Sequence, residues 1–193
     1  YSVIASAIGS LKGPQHGGAS NKAFAMMQEL QANVNDWDRD EEIKDYLVRI
    51  LSKNAFDKSG LIYGVGHAVY TLSDPRTKLL RQYAQQLADE TGNAKIFKLY
   101  TTVERLAPGV FNDYKGTDKI MCANVDYYAG LIYSMLGIPP ELFTPLFACA
   151  RISGWSAHRI EEIVSGGRIM RPAYKCVNKR RQYVNLEDRN PNI

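Results

Sequence analysis

Residues 74–92 read DPRTKLLRQYAQQLADETG, and this stretch decides the fold class. Asp74 stands where an N-cap side chain accepts backbone N–H groups, Pro75 follows at the first helical position, and Gly92 supplies a left-handed stop. Between them Leu79, Leu80, Tyr83 and Leu87 share a face at helical spacing, which predicts an amphipathic helix with its apolar side turned inward. Working upstream, RDEEIKDYLVRIL at 39–51 places acidic residues in a first turn and Ile43, Leu47, Ile50 and Leu51 on one stripe, the charge order that suits a helix dipole. Before it, Ala23, Met27, Leu30 and Val34 recur at the same period behind Ser20 and Asn21, which read as N-caps. Downstream, Ile96, Leu99, Tyr100, Val103 and Leu106 predict another helix, ending before Pro108-Gly109. A polar connection at 112–124 follows.

The segments YYAGLIYSMLG at 127–137 and PPELFTPLFACARISGWSAHRIEEIV at 139–164 are apolar nearly all round, which predicts helices buried between neighbours. Past Gly166-Gly167 the chain turns basic and polar without helical period and reads as an extended arm. Alternating strand patterns are absent, so the predicted fold class is all-α, a polar helical unit followed by a buried helical pair.

Composition agrees. With 193 residues, 45% of them hydrophobic and 23% charged, the chain has enough apolar material for a core, and disorder is excluded as its main state. Its net charge of +4 is spread along the chain and favours anionic partners only weakly. Cys122, Cys149 and Cys176 form no CxxC pair and no Cys/His cluster, which argues against a zinc site or a disulfide framework and for a reducing compartment. No apolar run approaches the roughly 20 residues that cross a bilayer, so a cytoplasmic protein without membrane partners is expected. The opening stretch, beginning at Tyr1, reads as the end of an apolar helix, as if more chain preceded it. Lys179, Arg180 and Arg181 form too short a cluster to predict nucleic-acid binding and read as solvated surface.

Three places do not look like packing. His16 in GPQHGGA and His67 in YGVGHAV stand in glycine-rich breaks between helices, where the backbone turns tightly and a ligand can come close. Each equally reads as a helix cap or turn filler. Asp126 in ANVDYYAG places a carboxylate at the entrance of a strongly apolar helix, either as an N-cap or as a general base partly desolvated by Val125, Tyr127 and Tyr128. Arg151 lies within the apolar FACARISGW, where a guanidinium needs a partner: a structural carboxylate or that of a bound ligand. Arg76 and Arg171 are further candidates, with solvated surface roles as the plain alternative.

GPQHGGASNKA, GVGHAVYTLSDPR, NVDYYAG, PPELFTPLFACARISGWSAH and RIMRPAY, in this order and at these separations, resemble the C-terminal half of the citrate synthase family. The resemblance implies an all-α multi-helical fold in which residues 1–16 end a large-domain helix, 17–130 form the small, mobile, CoA-binding domain, and 131–193 complete the large domain with an arm. It implies condensation of acetyl-CoA with oxaloacetate and water to citrate and CoA, with Asp126, His16 and His67 as catalytic residues. It further implies oxaloacetate binding by His67, Arg76, Phe147, Arg151 and Arg171, the last reaching across a homodimer. CoA contacts are implied for Leu61, Ile62, Gly64, Val65 and Asn124, with no metal and no cofactor beyond the CoA thioester substrate. Two rival readings are a 2-methylcitrate synthase acting on propionyl-CoA and a non-catalytic helical interaction module. The fragment is expected to be inactive without the family's N-terminal half.

Overall fold

The computed structural model describes residues 1–12, 18–169, 171, 173, 175, 177–180 and 182–189. Seven α-helices occur among them: α1 Ser2–Leu11, α2 Ala19–Asn33, α3 Asp40–Leu51, α4 Pro75–Thr91, α5 Ala94–Lys115, α6 Val125–Met135 and α7 Phe143–Val164. Short 3-10 turns occupy Pro140–Leu142 and Leu186–Asp188. No strand forms among the described residues beyond a single antiparallel bridge between Val65 and Ala123, and the fold is all-α as expected.

α4 forms as its punctuation predicts. Asp74 caps with its side chain accepting from the Arg76 N–H, Pro75 takes the first position, and Gly92 ends the helix at φ 74°. Its buried side follows the expected stripe only in part: Leu80 and Leu87 pack against the core. Thr77, Ala84 and Ala88 face inward, while Leu79 and Tyr83 are more than half exposed. The small residues let α4 lie close against α6 and α5, so close packing outweighs hydropathy in choosing the face.

The core lies between α2, α3, α5 and α6. Leu30, Ile43, Leu47, Leu99, Val103, Tyr100, Tyr127 and Tyr128 are all fully buried there, each apolar side chain contributing about 1.5–3 kcal/mol of burial. The tyrosines need partners for their hydroxyls. Tyr127 Oη donates to the Tyr100 carbonyl at 2.8 Å and Tyr128 Oη to Glu104 Oε2 at 2.6 Å. Replacing Tyr128 by phenylalanine leaves that carboxylate without its shortest bond, and a loss of about 1–2 kcal/mol is expected in urea denaturation. An unmoved midpoint would mean that water replaces the hydroxyl.

Three sequence expectations give way here. α5 does not stop before Pro108 but runs through it to Gly116, which closes the helix at φ 64°. The proline removes one backbone donor, yet burial of Ala107 and Val110 on the continuing stripe holds the next two turns in place. α2 begins at Ala19 behind a left-handed Gly18, with no side-chain cap. Ser20 and Asn21 therefore sit inside the first turn, and their side chains are free to reach other elements. Finally, α7 is not buried: Phe143 alone of its residues is buried, and Ile160 and Ile163 are each 61% exposed. α1 and α7 pack on one another and, through α2, on the rest.

Gly130 marks where α6 passes closest to its neighbours. A Cβ there would stand 2.7 Å from Phe24 Cβ and 3.3 Å from Phe143 Cε2. The expected boundary at 130/131 thus falls inside a continuous helix, at the residue that lets α2 and α7 close on it.

Candidate active site

The N-terminus of α6 is the hub. Asn124, not Asp126, is the N-cap: its Oδ1 accepts from the Asp126 N–H at 3.0 Å. Asp126 is the second residue of the helix, half-buried, where the helix dipole favours a negative charge. Ser20 Oγ, at the matching position of α2, donates to Asp126 Oδ1 at 2.8 Å. Asp126 then lines a small cavity of about 60 Å³ with Leu11, Gly18, Ala19, Ser20, Phe143, Thr144 and Phe147. Its helix neighbours do not desolvate it as expected, because Tyr127 and Tyr128 turn into the core.

The residues preceding α6 are laced to the loop that carries His67. Gly66 N–H donates to the Cys122 carbonyl at 2.8 Å, Asn124 N–H to the Gly64 carbonyl at 2.9 Å, and Asn124 Nδ2 to the Gly66 carbonyl at 2.9 Å. In this loop His67 Nδ1 accepts from the N–H groups of Val69 at 3.0 Å and Tyr70 at 3.1 Å. An imidazole nitrogen that accepts carries no proton, so the neutral ring is left with Nε2–H as its donor. His67 is half-buried against Tyr70, ring centroids 5.0 Å apart.

His67 lines a second cavity, of about 390 Å³, together with Leu61, Ile62, Val65, Phe111 and Lys119. Three of the expected CoA-contacting residues, Leu61, Ile62 and Val65, thus face this hollow. Gly64 and Asn124 do not line it; they tie the loop to α6. His67 and Asp126 line separate cavities in this structure, with no lining residue in common. The laced backbone of 64–66 and 122–124 stands between them.

Arg76 is held by Asp74 through two bonds, Nε to Oδ1 at 3.0 Å and Nη2 to Oδ2 at 2.8 Å, with its guanidinium 5.2 Å from the Tyr70 ring centre. The guanidinium remains about two-fifths exposed while Asp74 is buried. The Arg76 bonds hold the Asp74 carboxyl below its ordinary range despite burial, and Asp126 lies close enough to act electrostatically on Arg76. Arg151 is exposed, not buried in an apolar helix, and sits 5.1 Å from the Phe147 ring centre. Among the described residues no carboxylate pairs with Arg151, and the Phe147 ring is its cation–π neighbour. Arg171 is exposed. His16 lies outside the described residues. No cluster of three or more metal-ligating side chains occurs among those described.

The loop leading into the second cavity has its own anchor. Burial alone would raise Asp57, but bonds from Ser59, Tyr63 and Lys22 outweigh it and lower its carboxyl to about 2. Tyr63 Oη donates to Asp57 Oδ2 at 2.6 Å and Lys22 Nζ lies 3.4 Å from the same oxygen. A carboxyl depressed in the folded state adds stability above its unfolded pKa of about 3.9, and that stability is lost as pH falls through the folded value. Thermal midpoints are expected to fall between pH of about 4 and about 2, less steeply in Asp57→Asn; identical slopes would refute the assignment.

Comparison with known proteins decides the family. The family model described as citrate synthase, C-terminal domain, matches residues 1–173. This chain belongs to the citrate synthase family. The citrate synthase of Deinococcus radiodurans is 40% identical over 190 residues, covering 98% of this chain and 46% of that protein. The 2-methylcitrate synthase of Shewanella oneidensis is 33% identical over 173 residues, covering 90% of this chain and 40% of that protein. Among solved structures, the Thermoplasma acidophilum citrate synthase in ternary complex with carboxymethyl coenzyme A and oxaloacetate superposes with a TM-score of 0.71 at 30% identity, over 96% of this chain and 46% of that one.

The chain therefore spans about half the length of the citrate synthases it matches. This gives the exposed apolar residues of α7 a physical reading, since the family fold contains more helical chain than is present here.

Ser20, read from the sequence only as a cap, is the residue whose hydroxyl contacts Asp126. Its hydroxyl was spent on a cap because Ser-Asn ahead of an apolar period resembles one. The signal against that reading was the glycine pair immediately upstream, which can start a helix one turn position earlier.

Proposed function

We propose that this chain supplies the C-terminal half of a citrate synthase site and condenses acetyl-CoA with oxaloacetate when its family's full complement of helices is present. Asp126 takes a proton from the acetyl methyl carbon. His16 donates a hydrogen bond to the thioester oxygen as negative charge develops there. The enolate carbon attacks the oxaloacetate ketone carbon, His67 Nε2–H stabilises the developing alkoxide by a hydrogen bond, and the proton that Asp126 took reaches that oxygen through water, leaving a hydroxyl and restoring both residues. Water then cleaves the citryl thioester, releasing citrate and the CoA thiol.

The observation that carries this reading is the pair of complementary states at the α6 hub. A carboxylate without a buried counter-ion can act as base, while an imidazole with Nδ1 tied to backbone can act as hydrogen-bond donor. Arg76, Arg151, Phe147 and Arg171 hold the oxaloacetate carboxylates and carbon chain in this proposal, Arg171 from the partner subunit of a homodimer. Leu61, Ile62, Gly64, Val65 and Asn124 form the CoA side, with no metal or further cofactor. Residues 17–130 act as a mobile small domain whose closure on the remainder excludes water and brings His67 and Asp126 to a common substrate.

The 2-methylcitrate synthase among the relatives supports a second reading, in which propionyl-CoA is the acyl donor. One added methyl changes the binding energy by only about 1–3 kcal/mol, so pocket shape decides. Release of CoA thiol from acetyl-CoA and propionyl-CoA, each with oxaloacetate, is the test on the intact protein. Higher kcat/KM with acetyl-CoA is expected. Preference for propionyl-CoA would establish the second reading, and no oxaloacetate-dependent release with either would overturn both.

A further inference from the structure

We propose that Ser20 is the positioning residue of the Asp126 base. The inference rests on the proposed reaction, in which Asp126 removes the methyl proton. Ser20 Oγ lies 2.8 Å from Asp126 Oδ1, a bond spanning 106 residues and joining the first turns of two helices. Both groups are half-buried and line one cavity with Phe147, so solvent competes less with this bond than with a surface pair.

The location of Ser20 is itself fixed. Gly18 adopts φ 97°, which starts α2 one residue before the serine. On its other side Asn21 Nδ2 donates to the Pro140 carbonyl at 2.7 Å, locking the turn to the segment that leads into α7. The hydroxyl is thus delivered to Asp126 by backbone, with little freedom to rotate away. Asn124 meanwhile fixes the backbone of Asp126 from below.

The chemical consequence lies in the two carboxylate oxygens. Oδ1 accepts the serine proton donor, and Oδ2 has no donor among the described residues. A hydroxyl bond to Oδ1 holds the carboxylate in one rotamer. Oδ2 is left to receive the methyl proton. On that transfer the proton passes from carbon to Oδ2, Oδ1 becomes the carbonyl oxygen of the acid, and the serine bond persists in weakened form. Ser20 thereby keeps the base aimed before and during the reaction.

The experiment uses the intact protein with Ser20→Ala, Ser20→Thr, Asp126→Ala and the Ser20→Ala/Asp126→Ala double variant. Ser20→Ala is expected to lower kcat on the order of tenfold, with KM for either substrate changed by no more than about twofold. Ser20→Thr recovers most of the rate, and Ser20→Ala costs nothing further once Asp126 is gone. Full turnover by Ser20→Ala beside a collapsed Asp126→Ala overturns the proposal while leaving the reaction assignment standing. Equal impairment of the alanine and threonine variants also overturns it, since the hydroxyl would then not be what places the base. Undiminished turnover by Asp126→Ala would instead remove the reaction reading on which the proposal rests.

Discussion

Replacing Asp126 by alanine is expected to lower kcat by about 10²–10⁴-fold, the usual contribution of a positioned general base, while KM for oxaloacetate and the acyl thioester changes little. The asymmetry follows from what the carboxylate touches. Its one described hydrogen bond is from Ser20 Oγ, so removing it breaks no ion pair among the described residues and keeps the bond from the Asp126 backbone N–H to Asn124. Its loss is felt when the methyl proton has to leave. Folding should be nearly unaffected, because the side chain is half-buried and the N-cap function belongs to Asn124. Steady-state kinetics over pH, with melting curves as control, separate this from a structural defect. A variant that keeps its turnover but loses substrate affinity would show that Asp126 binds and does not abstract.

NVDYYAG places an aspartate at the mouth of an apolar helix, and the sequence offered the cap as its simplest duty. The structure gives that duty to Asn124, two residues earlier, and so frees the carboxylate. The helix ends were readable wherever punctuation was strong, as in α4 with Asp74, Pro75 and Gly92. They were misread where tertiary burial overrides a local breaker, as in α5, which continues through Pro108 because Ala107 and Val110 are buried on its continuing face. α7 failed in the opposite sense. Its apolar composition predicts burial, yet within this chain only Phe143 of the helix is buried. Arg151 followed the same error, since its supposed burial was borrowed from that helix. The separation of His67 and Asp126 into two cavities was not legible at all, because it depends on a backbone ladder formed between residues about 58 apart.

That ladder makes Gly64→Ala the substitution with the largest expected effect on the fold. Gly64 has φ 81°, and a Cβ placed on it would stand 2.8 Å from Tyr127 Cδ2 and 2.9 Å from Tyr127 Cα. The first contact cannot be relieved by rotating the ring, since Tyr127 is fully buried between Tyr100 and Tyr128. The second is with backbone at the third residue of α6. Overpacking of this kind costs about 1–3 kcal/mol and a left-handed non-glycine residue about 1–2 kcal/mol more, so a loss of roughly 2–5 kcal/mol is expected. Whatever movement relieves the clash must part the 64–66 loop from residues 122–124, carrying His67 away on one side and tilting Asp126 on the other. Turnover should therefore fall together with the melting temperature, unlike in Asp126→Ala, where it falls alone. A Gly64→Ala protein that melts like the parent would show that the loop can part from α6 at no cost, and the hub would no longer account for how the imidazole and the carboxylate are placed.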